Sequence, residues 1–284
     1  MIREVMERVW AFDLEWVPDP LAGRLLYGLP DSTPDADVLA AMWRAGGATE
    51  LDPTPFLKTA VCRIVSIAVV ERRAHAKGEE PALNLLSLPR SPKSPEEARE
   101  SSVVAIFLEA LGKHQPQLVG FNSRDSDLKI LIQRALVLGV QAAEFSRRPD
   151  KPWEGIDYFA RGADCNVDLK EILGGWGKAV PSLHEIAVQS GIPGKLDVDG
   201  NDVARLWLEG RLDEIVAYNE MDALSTYLVW LRLAHFTGHF SDAGYAEEQA
   251  RVRALLAREV AGGKRHLERY LAEWDRLRAA IAVR

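Results

Sequence analysis

Two acidic residues lie on one face of a predicted apolar strand near the start of the chain. The segment reads VWAFDLEWV, residues 9–17. Because successive side chains of a strand point to opposite faces, Asp13 and Glu15 share one face, and Trp10 and Phe12 belong to the other, which is apolar enough to be core. The acid-bearing face is either the solvated side of a half-buried strand or a cation site, because like charges this close repel unless a cation lies between them.

A third acid, Asp127, follows a short apolar strand in the middle of the chain. That strand, QPQLVGFN, ends in the polar turn SRDS, and Asp127 then opens a helix whose apolar residues recur at helical spacing. An acid in a first helical turn usually offsets the helix macrodipole. Taken alone, Asp127 therefore indicates only a helix start.

Tyr218 and Asp222 lie four residues apart in the long predicted helix LDEIVAYNEMDALSTYLVWLRL. Residues at this spacing share one helix face, one turn from each other. A Tyr one turn before an Asp is common in ordinary helices, so this pair also indicates little by itself. Function is indicated by the three segments together.

In chain order, WAFDLEW, GFNSRDSDLKIL and YNEMD resemble the motifs of the DEDD superfamily of 3′→5′ exonucleases, in the subclass with Tyr four residues before the last Asp. The chain is similar to predicted exonucleases related to the proofreading domain of family-B DNA polymerases, over most of residues 7–236. The second motif typically reads Asn-Gly-Arg, one residue, then Phe-Asp-Leu-Pro. Here Ser123, Ser126 and Lys129 replace the Gly, the Phe and the Pro. This departure concerns the shape of the substrate groove more than the metal ligands.

The resemblance implies a role for each residue of the site. Asp13, Glu15 and Asp222 would hold the metal that binds the nucleophilic water, Asp13 would bridge to a second metal, and Asp127 would support that second ion. Tyr218 would orient the attacking water, and it would accept a proton only with the help of a metal, because a phenol with a pKa of about 10 is a poor base at neutral pH.

Two acids of the second motif compete for the ligand role. Asp125 is the rival, and Asp127 is preferred because its spacing from Asn122 matches the family. Asn122, Arg124 and Lys129 are the candidates for substrate binding. Arg124 and Lys129, like the basic residues of SRRPDK, could equally be ordinary surface residues.

Phosphodiester hydrolysis explains the need for acids. Two divalent cations about 3.5–4 Å apart can activate water, neutralise the phosphate and stabilise the leaving alkoxide, and Mg²⁺ or Mn²⁺ prefers oxygen ligands.

Other kinds of site have little support in the sequence. Cys62 and Cys165 are too few and too far apart for a zinc site, and the six His form no ligand-spaced cluster. GGWGK and GIPGK lack the spacing of a phosphate loop and are expected to be turns.

The net charge of −7 is unusual for a protein that binds phosphates. It argues against tight, non-specific coating of DNA.

The location of the protein follows from other features. The two cysteines suit a reducing compartment, MIREVMERV is too charged for a signal peptide, and no apolar run approaches a membrane span. We expect a cytoplasmic protein with no membrane association.

The first half of the chain predicts three strands and a helix around the motifs. A Pro-rich insertion after the first strand contains one short helix from about Asp37, and VCRIVSIAVVER and ALNLLSL are strands joined by the turn HAKGEEP. SPEE predicts a capped helix that begins at Ser94 and runs to about Lys113. A fourth strand begins at Gln117.

The second half predicts one more strand followed by helices. The fifth strand is expected near residues 156–159, and SLHE at Ser182 predicts a second capping box. Gly210 separates two helices, and Gly262 and Gly263 break the helical tail beyond Ser241 in two. This order suits an α/β ribonuclease H-like fold, a mixed five-stranded sheet flanked by helices. We expect a catalytic domain over residues 1–240 and a helical appendage over 241–284, which packs on the core or contacts a protein partner.

The sequence thus predicts a metal-dependent 3′→5′ exonuclease that acts on single-stranded 3′ ends. DNA is the expected substrate, and RNA is left open because no residue is known to read a 2′-hydroxyl. The altered second motif motivates another alternative, a nucleic-acid-binding or partner-binding protein that keeps the fold without turnover. The pathway and the oligomeric state are not determined.

Overall fold

The computed structural model describes residues 1–74, 80–151, 154–160, 162–174, 179–196 and 200–282. Within these ranges five strands form one sheet in the order β3-β2-β1-β4-β5. They are β1 Arg8–Pro18, β2 Cys62–Arg73, β3 Ala82–Leu88, β4 Gln117–Gly120 and β5 Asn166–Asp168. The pairs β1·β2 and β2·β3 are antiparallel, whereas β4 runs parallel to both β1 and β5. The predicted mixed five-stranded sheet is confirmed.

The helices of the described ranges flank both faces of the sheet. They are α1 Pro20–Tyr27, α2 Asp35–Ala45, α3 Glu100–His114, α4 Asp127–Leu138, α5 Ala143–Ser146, α6 Leu169–Gly174, α7 Leu183–Gln189, α8 Val203–Leu208, α9 Leu212–Phe236, α10 Asp242–Ala261 and α11 His266–Ile281. Apolar residues of α3 and α4 form one core with Trp10 and Phe12 of β1. Residues of α9, α10 and α11 form the other core with Val9 and Ala11. No helix in this described part of the chain has the length and apolar content to cross a bilayer.

The central strand β1 is therefore buried on both faces. The predicted alternation is confirmed, because Trp10 and Phe12 pack on one side and Val9 and Ala11 on the other. The acid-bearing face is covered by α9, which packs on β1 and β2. The register against β2 shifts between Glu15 and Trp16, and the pairing then continues to Pro18 opposite Cys62.

The prediction of a fifth strand near residues 156–159 was wrong. Tyr158 lies in a turn, where its ring is buried and its hydroxyl donates to the carbonyl oxygen of Pro116 at 2.7 Å. The fifth strand is the three-residue Asn166–Asp168. Two of its three residues are polar, so apolar patterning could not identify it.

The helix predicted from Ser94 begins at Glu100 instead. Ser94 Oγ does accept a hydrogen bond from the Glu97 amide at 3.4 Å, but the Glu97 carboxylate accepts from the Ser91 amide, so no capping box forms. Arg99 is extended at φ −66° and ψ 126°. This bend places the buried Glu100 carboxylate where it accepts a hydrogen bond from the backbone of β2 at 2.7 Å. A long-range contact therefore overrides the local capping signal.

Other local predictions are confirmed. Ser182 and Glu185 form the predicted capping box, with reciprocal bonds of 3.2 and 2.7 Å. Gly210, at φ +74°, separates α8 from α9. The insertion contains two helices rather than one, since Asp19 caps an unpredicted α1 by accepting from the Leu21 amide at 3.1 Å. The first five residues of HAKGEEP and the last four of GGWGK lie outside the described residues.

The C-terminal tail packs on the rest of the chain. Tyr270 and Trp274 of α11 are fully buried in the same core as α9. The Glu248 carboxylate of α10 forms a buried ion pair with Arg72 of β2 at 2.8 Å. Glu220 of α9 pairs with Lys264 between the two tail helices at 2.7 Å. The tail thus shares a core with the preceding part of the chain, while the boundary at residue 240 stays a prediction.

Candidate metal centre

Three carboxylates from two elements meet where α9 crosses β1. Asp13 and Glu15 come from β1 and Asp222 from α9, and one oxygen of each lies within 4.8 Å of the others. The two-residue spacing on the strand and the crossing helix produce this convergence, because both elements present these side chains to the same interface. The three oxygens form a donor set of the kind that Mg²⁺ or Mn²⁺ prefers.

Asp127 lies beside this cluster at the first residue of α4. Its side chain is buried, and its Oδ1 accepts a hydrogen bond from the Leu14 amide of β1 at 3.1 Å. Burial raises the pKa of Asp127 to about 7, although hydrogen bonds from the backbone act in the opposite direction. The rival acid Asp125 instead pairs with Lys129 at 2.8 Å on the surface, and that bond lowers its pKa. These positions favour Asp127 over Asp125 as a site residue.

The neighbouring acids raise the proton affinity of Asp13. Burial raises the pKa of Asp13 well above its usual range, and the charges of Asp127, Glu15 and Asp222 add to this effect. The positive charge of Lys195 lowers it. A divalent cation among these oxygens would relieve the repulsion, so the donor set fits the metals that the sequence predicts.

Tyr218 lies one helical turn before Asp222 and donates a hydrogen bond to its carboxylate. Only 3% of Tyr218 is exposed, and its ring packs among apolar residues of β1, β2 and α8. Burial raises the pKa of the phenol, and the neighbouring acids raise it further. In the metal-free protein Tyr218 therefore keeps its proton at neutral pH and donates it to Asp222.

A cleft of about 1040 Å³ contains the acids and the tyrosine. Its other walls come from the insertion, the second-motif loop, α6, the start of α7 and the loop after it. Residues from these walls include Trp43, Phe56, Leu57, Phe121, Asn122, Ser126, Lys170, Ser182, His184, Gly194 and Lys195.

The second-motif loop is held by Asp168, a residue that the sequence analysis did not identify. The buried Asp168 carboxylate accepts hydrogen bonds from the amides of Asn122 at 2.9 Å and Arg124 at 3.0 Å. These bonds support Asn122 at φ +65°, a left-handed conformation that Asn tolerates better than most residues. Asp168 ends β5, which is parallel to β4, so the two strands deliver their C-terminal residues to the same edge. No pattern in the sequence indicated Asp168, because apolar patterning could not identify the short strand that it ends.

The three predicted substrate-binding residues have different placements. Asn122 lines the cleft, and its side-chain oxygen accepts a hydrogen bond from Lys170 at 3.0 Å. The Arg124 guanidinium donates to backbone carbonyl oxygens at 2.8 and 3.1 Å, and Lys129 pairs with Asp125. Neither Arg124 nor Lys129 is among the described residues that line the cleft. Lys170 and Lys195, which the sequence analysis did not select, do line it.

Residues 54–274 match a family described as predicted 3′-5′ exonucleases related to the exonuclease domain of PolB. The match includes Asp127, Tyr218 and Asp222, and it begins after Asp13 and Glu15. A comparison with curated proteins found no match. Because the matched region spans well over half of the chain, and the acids of that region share one cleft, this chain belongs to that family of predicted 3′-5′ exonucleases, hydrolases that act on phosphodiester bonds.

Proposed function

We propose that the protein removes nucleotides from the 3′ end of single-stranded DNA with the help of two divalent cations, Mg²⁺ or Mn²⁺. The observation that carries this proposal is the convergence of Asp13, Glu15 and Asp222 within 4.8 Å in a cleft that Asp127 also lines. When bound, such ions supply an activated water and positive charge for the reacting phosphate.

The protein side chains have separate tasks in this reaction. Asp13, Glu15 and Asp222 would hold one ion, and Asp127 would help to hold a second. Tyr218 orients the water through its hydroxyl oxygen, which accepts a hydrogen bond from the water because the phenol proton is donated to Asp222. Its bond to Asp222 sets the direction of its hydroxyl before substrate arrives.

The size of the cleft supports a single strand as substrate. Pockets of about 300–1,000 Å³ enclose ligands of drug size. A volume of about 1040 Å³ therefore accommodates the terminal nucleotides of one strand. DNA is preferred over RNA because the family is defined by its relation to a DNA polymerase domain. A cytoplasmic location and a protein partner for the C-terminal helices stay predictions.

The test is incubation with single-stranded DNA and RNA oligonucleotides labelled at the 5′ end, in Mg²⁺, Mn²⁺ or EDTA. We expect a ladder that shortens from the 3′ end in either metal and no cleavage in EDTA. The matched control is Asp222→Asn, which keeps the shape of the ligand and removes its charge. A ladder that persists in EDTA or in this variant would contradict the proposal, and a ladder with RNA alone would assign the exoribonuclease alternative. Binding without cleavage in any metal would assign the alternative that lacks turnover.

A further inference from the structure

A buried pair of hydroxyl groups joins α9 to the C-terminal helix α11 behind the cleft. Ser225 lies three residues after Asp222 on α9, and Tyr270 belongs to α11. The Tyr270 hydroxyl is 3.0 Å from Ser225 Oγ, and both side chains are fully buried. Ser225 also lines the cleft. Tyr270 therefore contacts a residue of the cleft from behind.

The Ser225 hydroxyl also binds the loop that follows α7. Ser225 Oγ lies 2.8 Å from the carbonyl oxygen of Pro193 and 2.9 Å from that of Met221, one turn earlier in α9. Carbonyl oxygens only accept, and a serine hydroxyl has a single proton to donate. Both hydroxyl protons are used when Tyr270 donates to Ser225 Oγ and Ser225 donates to a carbonyl oxygen. The contacts thus form a chain from Tyr270 through Ser225 to Pro193.

Pro193 lies within one wall of the cleft, and we call residues 191–195 the wall loop. Gly194 and Lys195 line the cleft, and residues 191–194 are buried. On one side, the Lys195 amide donates to Nδ1 of His184 in α7 at 3.1 Å. On the other side, Ser225 holds Pro193. The wall loop is therefore fixed between α7 and the helix that carries Asp222.

The C-terminal helix contacts the wall loop a second time. Gly191 has a φ of +73°, and a Cβ atom at this position would lie 3.0 Å from Cδ1 of Ile281, the last residue of α11. Burial raises the pKa of the Tyr270 phenol, and the charge of Asp222 acts in the same direction. Tyr270 is therefore close to the proposed metal centre although it supplies no ligand to the acid cluster.

We propose that Tyr270 is a positioning residue for the exonuclease reaction: through Ser225 it fixes the wall loop relative to Asp222, and so sets the width of the cleft that receives the 3′ end. The inference rests on the proposed function. Reaction rates depend steeply on alignment, since a misplacement of about 1 Å can cost roughly a hundredfold. A helix of the C-terminal tail thus controls how the strand is aligned with the acids.

The test compares Tyr270→Phe with the matched control Tyr227→Phe. Tyr227 of α9 is also fully buried, and its hydroxyl donates to Glu248 of α10 at 3.3 Å. Each substitution keeps the ring and removes one hydroxyl contact between α9 and the tail, but only Tyr270 is connected to the wall loop. Steady-state cleavage of a short oligothymidine is measured in Mn²⁺, together with the melting temperature.

We expect the two variants to lose similar amounts of melting temperature. Only Tyr270→Phe should lower kcat/KM, by roughly tenfold, and the loss should appear in kcat because alignment is affected. The Mn²⁺ midpoint of the thermal shift should stay unchanged in both variants, because both hydroxyls bond to residues outside the acid cluster. A residue that only stabilises the fold would lower the melting temperature and leave kcat of the folded protein unchanged.

A double-mutant cycle tests whether Tyr270 acts through Ser225. Ser225→Ala removes the hydroxyl that connects Tyr270 to Pro193. In the Ser225→Ala background, Tyr270→Phe should therefore change kcat/KM by less than about twofold, since the chain is already broken. Independent effects would multiply instead, and that result would overturn the proposed chain.

Hydrogen exchange reports on the wall loop without any substrate. The amides of residues 191–196 should exchange about two- to tenfold faster in Tyr270→Phe than in wild type, because the loop loses part of its support. Tyr227→Phe should leave this segment at the wild-type rate. An unchanged exchange rate in Tyr270→Phe would overturn the role of the wall loop.

The possible kinetic results separate this inference from the proposed function. If wild type cleaves single-stranded DNA and Tyr270→Phe has the same kcat/KM as Tyr227→Phe, the role of Tyr270 is overturned and the exonuclease proposal stands. If wild type cleaves no single strand, both are overturned. A loss of kcat in Tyr270→Phe that disappears in the Ser225→Ala background supports the inference.

Discussion

The metal-free protein should lose stability as the pH rises from about 4 to 7, because Asp127 is buried. Its pKa rises from 3.8 to about 7 on folding. An acid with a raised folded pKa contributes its stability below the unfolded pKa and loses it as the pH rises through the folded value. A shift of this size corresponds to at most about 4 kcal/mol at about 1.4 kcal/mol per pH unit. Asp13 titrates in the same direction, so its protonation adds to the effect.

The assay is urea unfolding in EDTA at pH values from 4 to 8, with Asp127→Asn as the matched variant. The Asn side-chain oxygen can still accept the hydrogen bond from the Leu14 amide, so the substitution removes the charge and keeps the contact. From pH 4 to 8 the free energy of unfolding of the variant should rise relative to wild type by up to about 4 kcal/mol. Saturating Mn²⁺ should flatten the wild-type profile, since bound cations favour the charged carboxylates.

The comparison with the variant separates the effect of Asp127 from the pH dependence of every other group. If the free energies of unfolding of wild type and Asp127→Asn differ by the same amount at every pH in EDTA, the reasoning is refuted. Burial would then not raise the pKa of this carboxyl group. A wild-type profile that Mn²⁺ leaves unchanged would show that these acids do not share a cation.

Other perturbations test individual contacts. Asp222→Ala should reduce cleavage by roughly a thousandfold or more, measured as single-turnover rates, because it removes a proposed ligand of the ion that carries the water. Tyr218→Phe should lower turnover by roughly ten- to a hundredfold and leave the Mn²⁺ midpoint of the thermal shift unchanged, since the hydroxyl is proposed to contact water. Arg134→Ala should destabilise the fold by about 3–5 kcal/mol in urea unfolding, because it leaves the buried carboxylates of Asp19 and Glu100, now 2.8 and 2.7 Å from the guanidinium, without their partner. A loss below about 1 kcal/mol would contradict that account.

Local patterns in the sequence were sufficient for several features of the site. Strand alternation placed Asp13 and Glu15 on one face, and helical spacing placed Tyr218 one turn before Asp222. Both statements depend on backbone geometry within a single element, which the period of the side chains determines. The capping box at Ser182 is local in the same sense, because its hydrogen bonds join residues three apart. The resemblance to the exonuclease motifs then connected β1, α4 and α9, which no local pattern relates to one another.

Tertiary structure decided the features that depend on residues far apart in the chain. The Asp127 carboxylate contacts the amide of Leu14, 113 positions away, and Lys195 reaches the cleft through a loop that α9 and α11 support. Arg124 matched a family motif, yet its guanidinium bonds to backbone carbonyls instead of entering the cleft. Periodicity describes which face of an element is apolar, but not which other element covers that face or where a long side chain ends. The sequence alone therefore identified the acids. Only the packing of α9, α11 and the second-motif loop determined which lysine side chains lie beside them in the cleft.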